Sequence, residues 1–150
     1  MNDPRHVFRF VSKFLGVLCF LGFLANLNAA SVGLAAGSPE VSIPFHDERR
    51  ATIAVDVVIE NGSEKATKLF VEIVVKDAEG NEVTSAEAGL DVAARAQRAT
   101  EQWMNLRRPQ LWTAEKPYLY TVHTTILIGT DVVDSAESSL GVGSDAHAGK

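Results

Sequence analysis

From Ala51 onward, apolar and polar residues alternate with a period of two. Ile53, Val55, Val57 and Ile59 fall on one face, and Ala54, Asp56, Val58 and Glu60 on the other. That alternation predicts a half-buried strand, and Asn61-Gly62-Ser63 marks the turn that ends it. Leu69, Val71, Ile73 and Val75 repeat the pattern against Glu72 and Lys76, with Phe70 and Val74 making the outer face partly apolar. Asp77 to Asn81 turns the chain into a weaker strand over Glu82 to Ala88. The strongest late strand is Tyr118 to Ile128, whose apolar side is Tyr120, Val122, Thr124, Ile126 and Ile128. Gly129-Thr130-Asp131 then turns it into Val132 to Ser138. Val41 to Phe45 reads as a short first strand, limited to an edge by Pro44, which has no N–H to donate to a ladder.

Ala86 to Met104 is divided between two structures. Ala93, Ala94, Ala96 and Ala99 with Arg95, Gln97 and Arg98 have good helix propensity. The strands on either side call instead for a loop and a strand near Arg95 to Trp103, with Ala99, Glu101 and Trp103 sharing a face. Tertiary context overrides propensity in such cases, and the strand is the expectation. The fold class is therefore all-β: an immunoglobulin-like antiparallel β-sandwich of about seven strands, preceded by an N-terminal signal peptide.

The signal peptide is read from the order of residue types. Arg5, Arg9 and Lys13 form a basic region, Phe14 to Ala25 is an apolar run, and Asn26 to Ser31 is polar and small. Asn26 and Asn28 interrupt the run short of the ~20 apolar residues that a spanning helix needs. An uncleaved anchor over residues 14–36 is the alternative, since Val32 to Ala36 extends the apolar character. The expected organisation is signal peptide 1–30, linker 31–40, sandwich 41–142 and flexible tail 143–150, with the mature chain starting between Ala30 and Gly37. Gly33, Gly37, Ser38 and Pro39 carry the linker reading.

The 150 residues are 46% hydrophobic and 22% charged, which suits one globular domain. Net charge is −5, and removal of residues 1–30 leaves 11 basic against 18 acidic residues. That balance argues against nucleic acid and anionic membranes, because Arg49-Arg50 and Arg107-Arg108 read as isolated pairs. A membrane enters only through an uncleaved N-terminal segment. The single cysteine, Cys19, lies in the segment expected to be removed, so the mature domain is expected to rely on its core rather than on disulfides.

Asn105 to Val122 is the most distinctive stretch. Two prolines, Pro109 and Pro117, bracket a loop containing Leu111, Trp112 and Glu115, and the strand then begins Tyr118-Leu119-Tyr120. This stretch resembles the run-in to the penultimate strand of the immunoglobulin-like domain of glycoside hydrolase family 2, the β-galactosidase and β-mannosidase group. Asn105, Pro109, Leu111, Trp112, Glu115, Pro117, Leu119 and Tyr120 match that pattern, although Asn105 and Pro109 stand further apart than is usual. Ala51 to Asn61 is similar to the family's early strand, Lys68 to Gly80 to its next strand and turn, and Gly129 to Glu137 to its final hairpin. The resemblance covers Val41 to Val142. Where the family runs on with Phe-Gly-x-Arg, this chain has Leu140-Gly141-Val142-Gly143. Such a domain normally lies between a sugar-binding jelly roll and a catalytic barrel, and 150 residues leave room for neither.

No catalytic residue is carried over. Family 2 chemistry needs two carboxylates about 5 Å apart on a barrel of roughly 200 residues or more. Glu115 is the only acid within the motif and belongs to a turn. The histidines, His6, His46, His123 and His147, show no ligand spacing. His46 beside Asp47 and Glu48 reads as a solvated loop, so no metal and no cofactor is expected. Gly141-Val142-Gly143 is too short for a phosphate loop, and Asn61-Gly62-Ser63 fits a glycosylation acceptor as well as a turn.

Trp103, Trp112 and Tyr118 are the candidate ligand-binding residues, as a stacking platform for sugar rings together with Tyr120. The competing and favoured expectation is that Trp112 and Tyr120 plug the end of the sandwich while Leu111 and Leu119 sit in the core. The resemblance implies a non-catalytic exported module with a structural or binding role linked to carbohydrate metabolism. Its partner would be a glycosidase catalytic chain or a glycan. The alternatives are a fragment or subunit of a split β-glycosidase, and a free-standing adhesion or assembly module that uses an exposed strand edge.

Overall fold

The computed structural model describes residues 31–143, which form eight β-strands and no helix. The strands are β1 (Val32–Leu34), β2 (Glu40–His46), β3 (Arg50–Asn61), β4 (Thr67–Lys76), β5 (Glu82–Val92), β6 (Ala96–Arg107), β7 (Tyr120–Ile128) and β8 (Asp131–Leu140). In the first sheet β3 is central: β6 pairs along one side, and β1 and β2 share the other. The second sheet runs β5-β4-β7-β8. All pairings are antiparallel.

The core lies between the sheets and is built from the alternating sets. Ile53, Val55, Val57 and Ile59 of β3 meet Leu69, Val71, Ile73 and Val75 of β4, with Val122 and Ile126 of β7. These side chains are fully buried. Branched residues at every second position suit a pleated, half-buried surface, which explains why these runs form strands. Pro44 interrupts the β2–β3 ladder, and the register shifts between Ser42 and Phe45.

The segment Ala96–Arg107, torn between helix and strand, is β6. All twelve of its residues pair with β3, from Arg107 opposite Arg50 to Ala96 opposite Asn61. Its inward side chains include Met104 and Leu106, both buried, while Ala99, Glu101 and Trp103 share the outward face. A ladder of that length and two buried apolar anchors outweigh the small propensity advantage of the alanines.

Two expectations are corrected. The fold has eight strands rather than about seven, because residues 31–40 are not a loose linker. Val32–Leu34 pairs with the end of β3, Ala35 is buried, and Ser38 Oγ accepts the Val58 N–H at 2.8 Å. Small residues fit here because β1 passes close to β8: a Cβ on Gly33 would come within 2.7 Å of Asp134 Oδ2. The chain also remains packed beyond β8, where Gly141 and Val142 are buried. The expected signal peptide lies outside the described residues, as do 144–150 of the expected tail. Among the described residues no helix is long and apolar enough to cross a membrane.

Candidate functional site

The proline-bracketed segment folds over one end of the sandwich, between the end of β6 and the start of β7. Arg108 takes a positive φ of 47°, and its N–H donates to Arg49 O at 2.7 Å, which turns the chain off β6. Pro109 is buried. Thr113 and Lys116 exchange backbone hydrogen bonds of 3.2 and 3.1 Å, closing a turn that leaves Glu115 exposed.

Tyr120 anchors this loop. Its ring is buried and its hydroxyl accepts the Gln110 N–H at 2.8 Å, ten residues upstream. That is the tyrosine corner typical of immunoglobulin-like sandwiches. Burial holds the Tyr120 hydroxyl above its ordinary pKa of 10.0. Tyr118 packs edge-on against Tyr120 with ring centroids 5.1 Å apart. The Tyr118 hydroxyl accepts the Ala78 N–H at 3.2 Å and donates to Glu79 Oε2 at 3.1 Å. Its pKa is raised too: the Ala78 bond opposes the shift, and desolvation and Glu79 outweigh it.

The candidate residues Trp103, Trp112 and Tyr118 stand in different parts of the fold. Trp112 is half-buried in the end loop, where its backbone N–H donates to Val142 O at 2.7 Å. Trp103 projects from the outward face of the first sheet and is 56% exposed. Tyr118, just ahead of β7, turns its hydroxyl to Ala78 and Glu79 of the β4–β5 turn. Tyr120 closes the sandwich end as expected, but Leu111 and Leu119 are not core residues, with 36% and 47% exposure. Both flank the inward positions of a loop whose backbone is held by other groups, so their side chains turn to solvent.

Residues that the sequence kept apart converge instead. Arg50 and Arg107 are direct partners in the β3–β6 register, and Arg49 is bonded to Arg108. The two arginine pairs therefore share one end of the first sheet. Phe45 lies beside them, with the Arg50 guanidinium 4.9 Å from its ring centre. A groove of about 400 Å³ borders this end, walled by Asn105, Arg107, Arg108, Gln110 and Tyr118. No period or motif signals this convergence; it follows from register alone.

The remaining candidates are occupied by structural bonds. Asp47 Oδ1 accepts the N–H groups of Arg49 and Arg50, each at 2.8 Å, and those two bonds hold its carboxyl below 3.8. Its neighbour His46 has no group of three acids, histidines or cysteines around it among the described residues. His123 lies 3.3 Å from Glu137 on the outer face of the second sheet. Asn61 is fully buried. Its Nδ2 donates to Lys65 O at 2.8 Å and to Val92 O and Ala93 O at 3.1 Å, while Oδ1 accepts from Ser63 N and Oγ. Nδ2 is the atom that glycosylation would modify, so the folded domain has no room for a glycan there.

This arrangement of strands and end loop matches the family described as Glycosyl hydrolases family 2 over residues 38–142. The chain belongs to glycoside hydrolase family 2. Over 96 residues it is 27% identical to the β-galactosidase BoGH2A of Bacteroides ovatus, covering 64% of this chain and 11% of that protein. A β-glucuronidase of Formosa agariphila is 26% identical over 95 residues, 63% of this chain and 10% of the relative. The family 2 chain thus spans about a tenth of these relatives' length. Its fold is similar to a part of a β-glucuronidase from family 2, with a TM-score of 0.71 at 22% identity over 74% of this chain and 12% of the other. The β-glucuronidase of Bacteroides uniformis superposes with a TM-score of 0.72 at 18% identity, covering 75% and 14% of the two chains. The described family 2 residues are those of the immunoglobulin-like sandwich.

Proposed function

We propose that this chain acts as an exported, non-catalytic β-sandwich module of the family 2 type, with a structural or binding role in carbohydrate metabolism. One observation carries the reading. Residues that give the chain its family resemblance direct their side-chain polar atoms into its own backbone, Asn61 to three carbonyls and Tyr120 to the Gln110 N–H, and the backbone N–H of Trp112 donates to Val142 O. They build a scaffold and present no reacting group. Glu115, the acid of the motif, stands exposed in a turn, away from the kind of paired-carboxylate geometry that glycoside hydrolysis uses. The purified chain is expected to turn over no aryl β-galactoside, β-mannoside or β-glucuronide. Turnover that co-purifies with the chain and disappears in Glu115→Gln would overturn the reading.

A second reading is favoured by the small share of its relatives that the chain spans: a fragment or subunit of a β-glycosidase that hydrolyses O-glycosyl bonds. Co-purification with a barrel encoded in a neighbouring reading frame would select it. Export rests on the residue order of Arg5 to Ser31. Cleavage at Ala30 leaves β1 whole, whereas cleavage at Gly37 removes it, so the exported chain is expected to start near Ser31. N-terminal sequencing decides this, and an intact Met1 in a membrane fraction would make the segment an anchor.

A further inference from the structure

The outward face of the first sheet is a composed surface. Its middle rows have small floors: Thr52 lies between Phe45 and Asn105, and Ala54 between Ser42 and Trp103. Ala54 is buried although it faces outward, so the floor is sunk between its neighbours. On the flanking strands stand two aromatic rings with large free areas, Phe45 at 42% and Trp103 at 56%. Hydrogen-bonding groups sit between them, with Thr52 Oγ1 and Asn105 Oδ1 3.4 Å apart.

The face is also electrically polar along its length. One end carries Arg50 directly opposite Arg107, and the other carries Asp56 flanked by Glu40 and Glu101. Like charges set opposite each other on a sheet are destabilising. Among the described residues no carboxylate lies within ion-pair distance of either guanidinium. Of the two acids that precede Arg49, Glu48 is exposed and Asp47 accepts the backbone N–H groups of Arg49 and Arg50. Phe45 fixes the Arg50 head from one side through a cation–π contact. Arg50 and Arg107, opposite each other in the register, make this end of the face a basic edge for an anion, since each guanidinium presents a planar fork to a carboxylate or sulfate.

We propose that this face binds an acidic oligosaccharide, with a sugar ring stacked on Trp103 and the carboxylate or sulfate of a neighbouring sugar on Arg50 and Arg107. Trp103 and Arg107 are four positions apart on one strand, about 13 Å at strand spacing, which places a second sugar over Thr52 and Asn105. The acidic row at the opposite end sets the ligand's direction. The inference rests on the reading of the chain as a non-catalytic binding module and names its ligand class.

The test is calorimetric titration of the exported chain with oligogalacturonate, a sulfated galacto-oligosaccharide and a neutral galacto-oligosaccharide. Binding of one or both acidic probes, weakened by salt, is expected, and the two probes separate a carboxylate from a sulfate ligand. Trp103→Ala and Arg50→Gln/Arg107→Gln should each weaken binding about tenfold or more, as loss of a stacking or charge-assisted contact does. Their melting curves should stay close to the parent's, because all three side chains are exposed. No binding of either acidic probe, equal binding of the neutral probe, or binding unchanged in the variants would each overturn the proposal. So would concentration-dependent dimerisation abolished by Trp103→Ala without any glycan binding, which would make the face a self-association surface. Absence of binding together with absence of turnover leaves the non-catalytic reading standing; turnover that is lost in Glu115→Gln removes that reading.

Discussion

Asn61 ends β3, and a single side chain there ties three segments of chain together. Its amide supplies the β3–β4 turn and the β5–β6 turn with donors at carbonyls that the sheet ladders leave open. Asn61→Ala would strand those carbonyls and the Ser63 donors in a buried site, which costs roughly 2–4 kcal/mol in total. Urea unfolding should show a lower midpoint at an unchanged slope. Asp77 plays a lighter part in the β4–β5 turn. The Asn81 side-chain bond, joined by the N–H groups of Asn81 and Glu79, holds its carboxyl below 3.8. A depressed folded value means that the unfolded chain takes up the proton first as the pH falls. The stability that Asp77 contributes is therefore present above about pH 4 and lost as the pH drops through its folded value. The stability gap between the parent and Asp77→Asn should be constant from neutral pH down to that point and narrow below it in pH-dependent melting.

At the scale of elements, the end loop and the C-terminal segment form a clasp. Trp112 donates its backbone N–H to Val142, and Gly143 passes so close to Trp112 O that a Cβ there would sit 2.6 Å away. Gly143→Ala must move backbone rather than a flexible side chain, so it should open the clasp and raise amide exchange at Trp112 without unfolding the sheets. The half-buried indole contributes less than a fully enclosed one. Trp112→Ala is expected to cost less than the about 3–5 kcal/mol typical of buried aromatic-to-alanine changes. A loss as large as that would mean that the ring closes the core after all.

Across the whole molecule, the two sheets are joined along one margin by Asp134. Its Oδ2 accepts the Leu34 N–H at 2.8 Å, fastening β1 of one sheet to β8 of the other. β1 has only three residues, so this bond is a large part of what holds it. Asp134→Ala should speed amide exchange over Val32–Leu34 while leaving β4 and β7 protected. It should also bare part of the β8 edge, and unprotected edges favour association between chains. A protection pattern unchanged in the variant would show that β1 is held by β3 alone. The exposed ion pairs Lys68–Asp91 and Arg95–Glu64, at 4.0 and 2.6 Å, add little to this frame because water screens them.

Alternation of Ile, Val and Leu with polar residues determined by itself where β3, β4 and β7 run and which side of each is buried, because a period of two fixes the face of every side chain. The turn residues around Asn61, Asp77 and Gly129 likewise marked the chain reversals, and the proline–tryptophan loop carried the family. The strand expected near Arg95 to Trp103 is β6, but its full length to Arg107 was decided by the tertiary structure, since alanine-rich sequence has no strong preference until a partner strand supplies a ladder. Register alone decided that Arg50 meets Arg107 and that Phe45 and Trp103 share a face. Leu111 and Leu119 are apolar yet exposed, and Asn61 is polar yet buried, for a related reason: in loops and at strand ends, side-chain placement follows the backbone's hydrogen bonds and not hydropathy. Periodicity is a local property of the chain, whereas a binding face is made of residues that pairing brings together from distant positions.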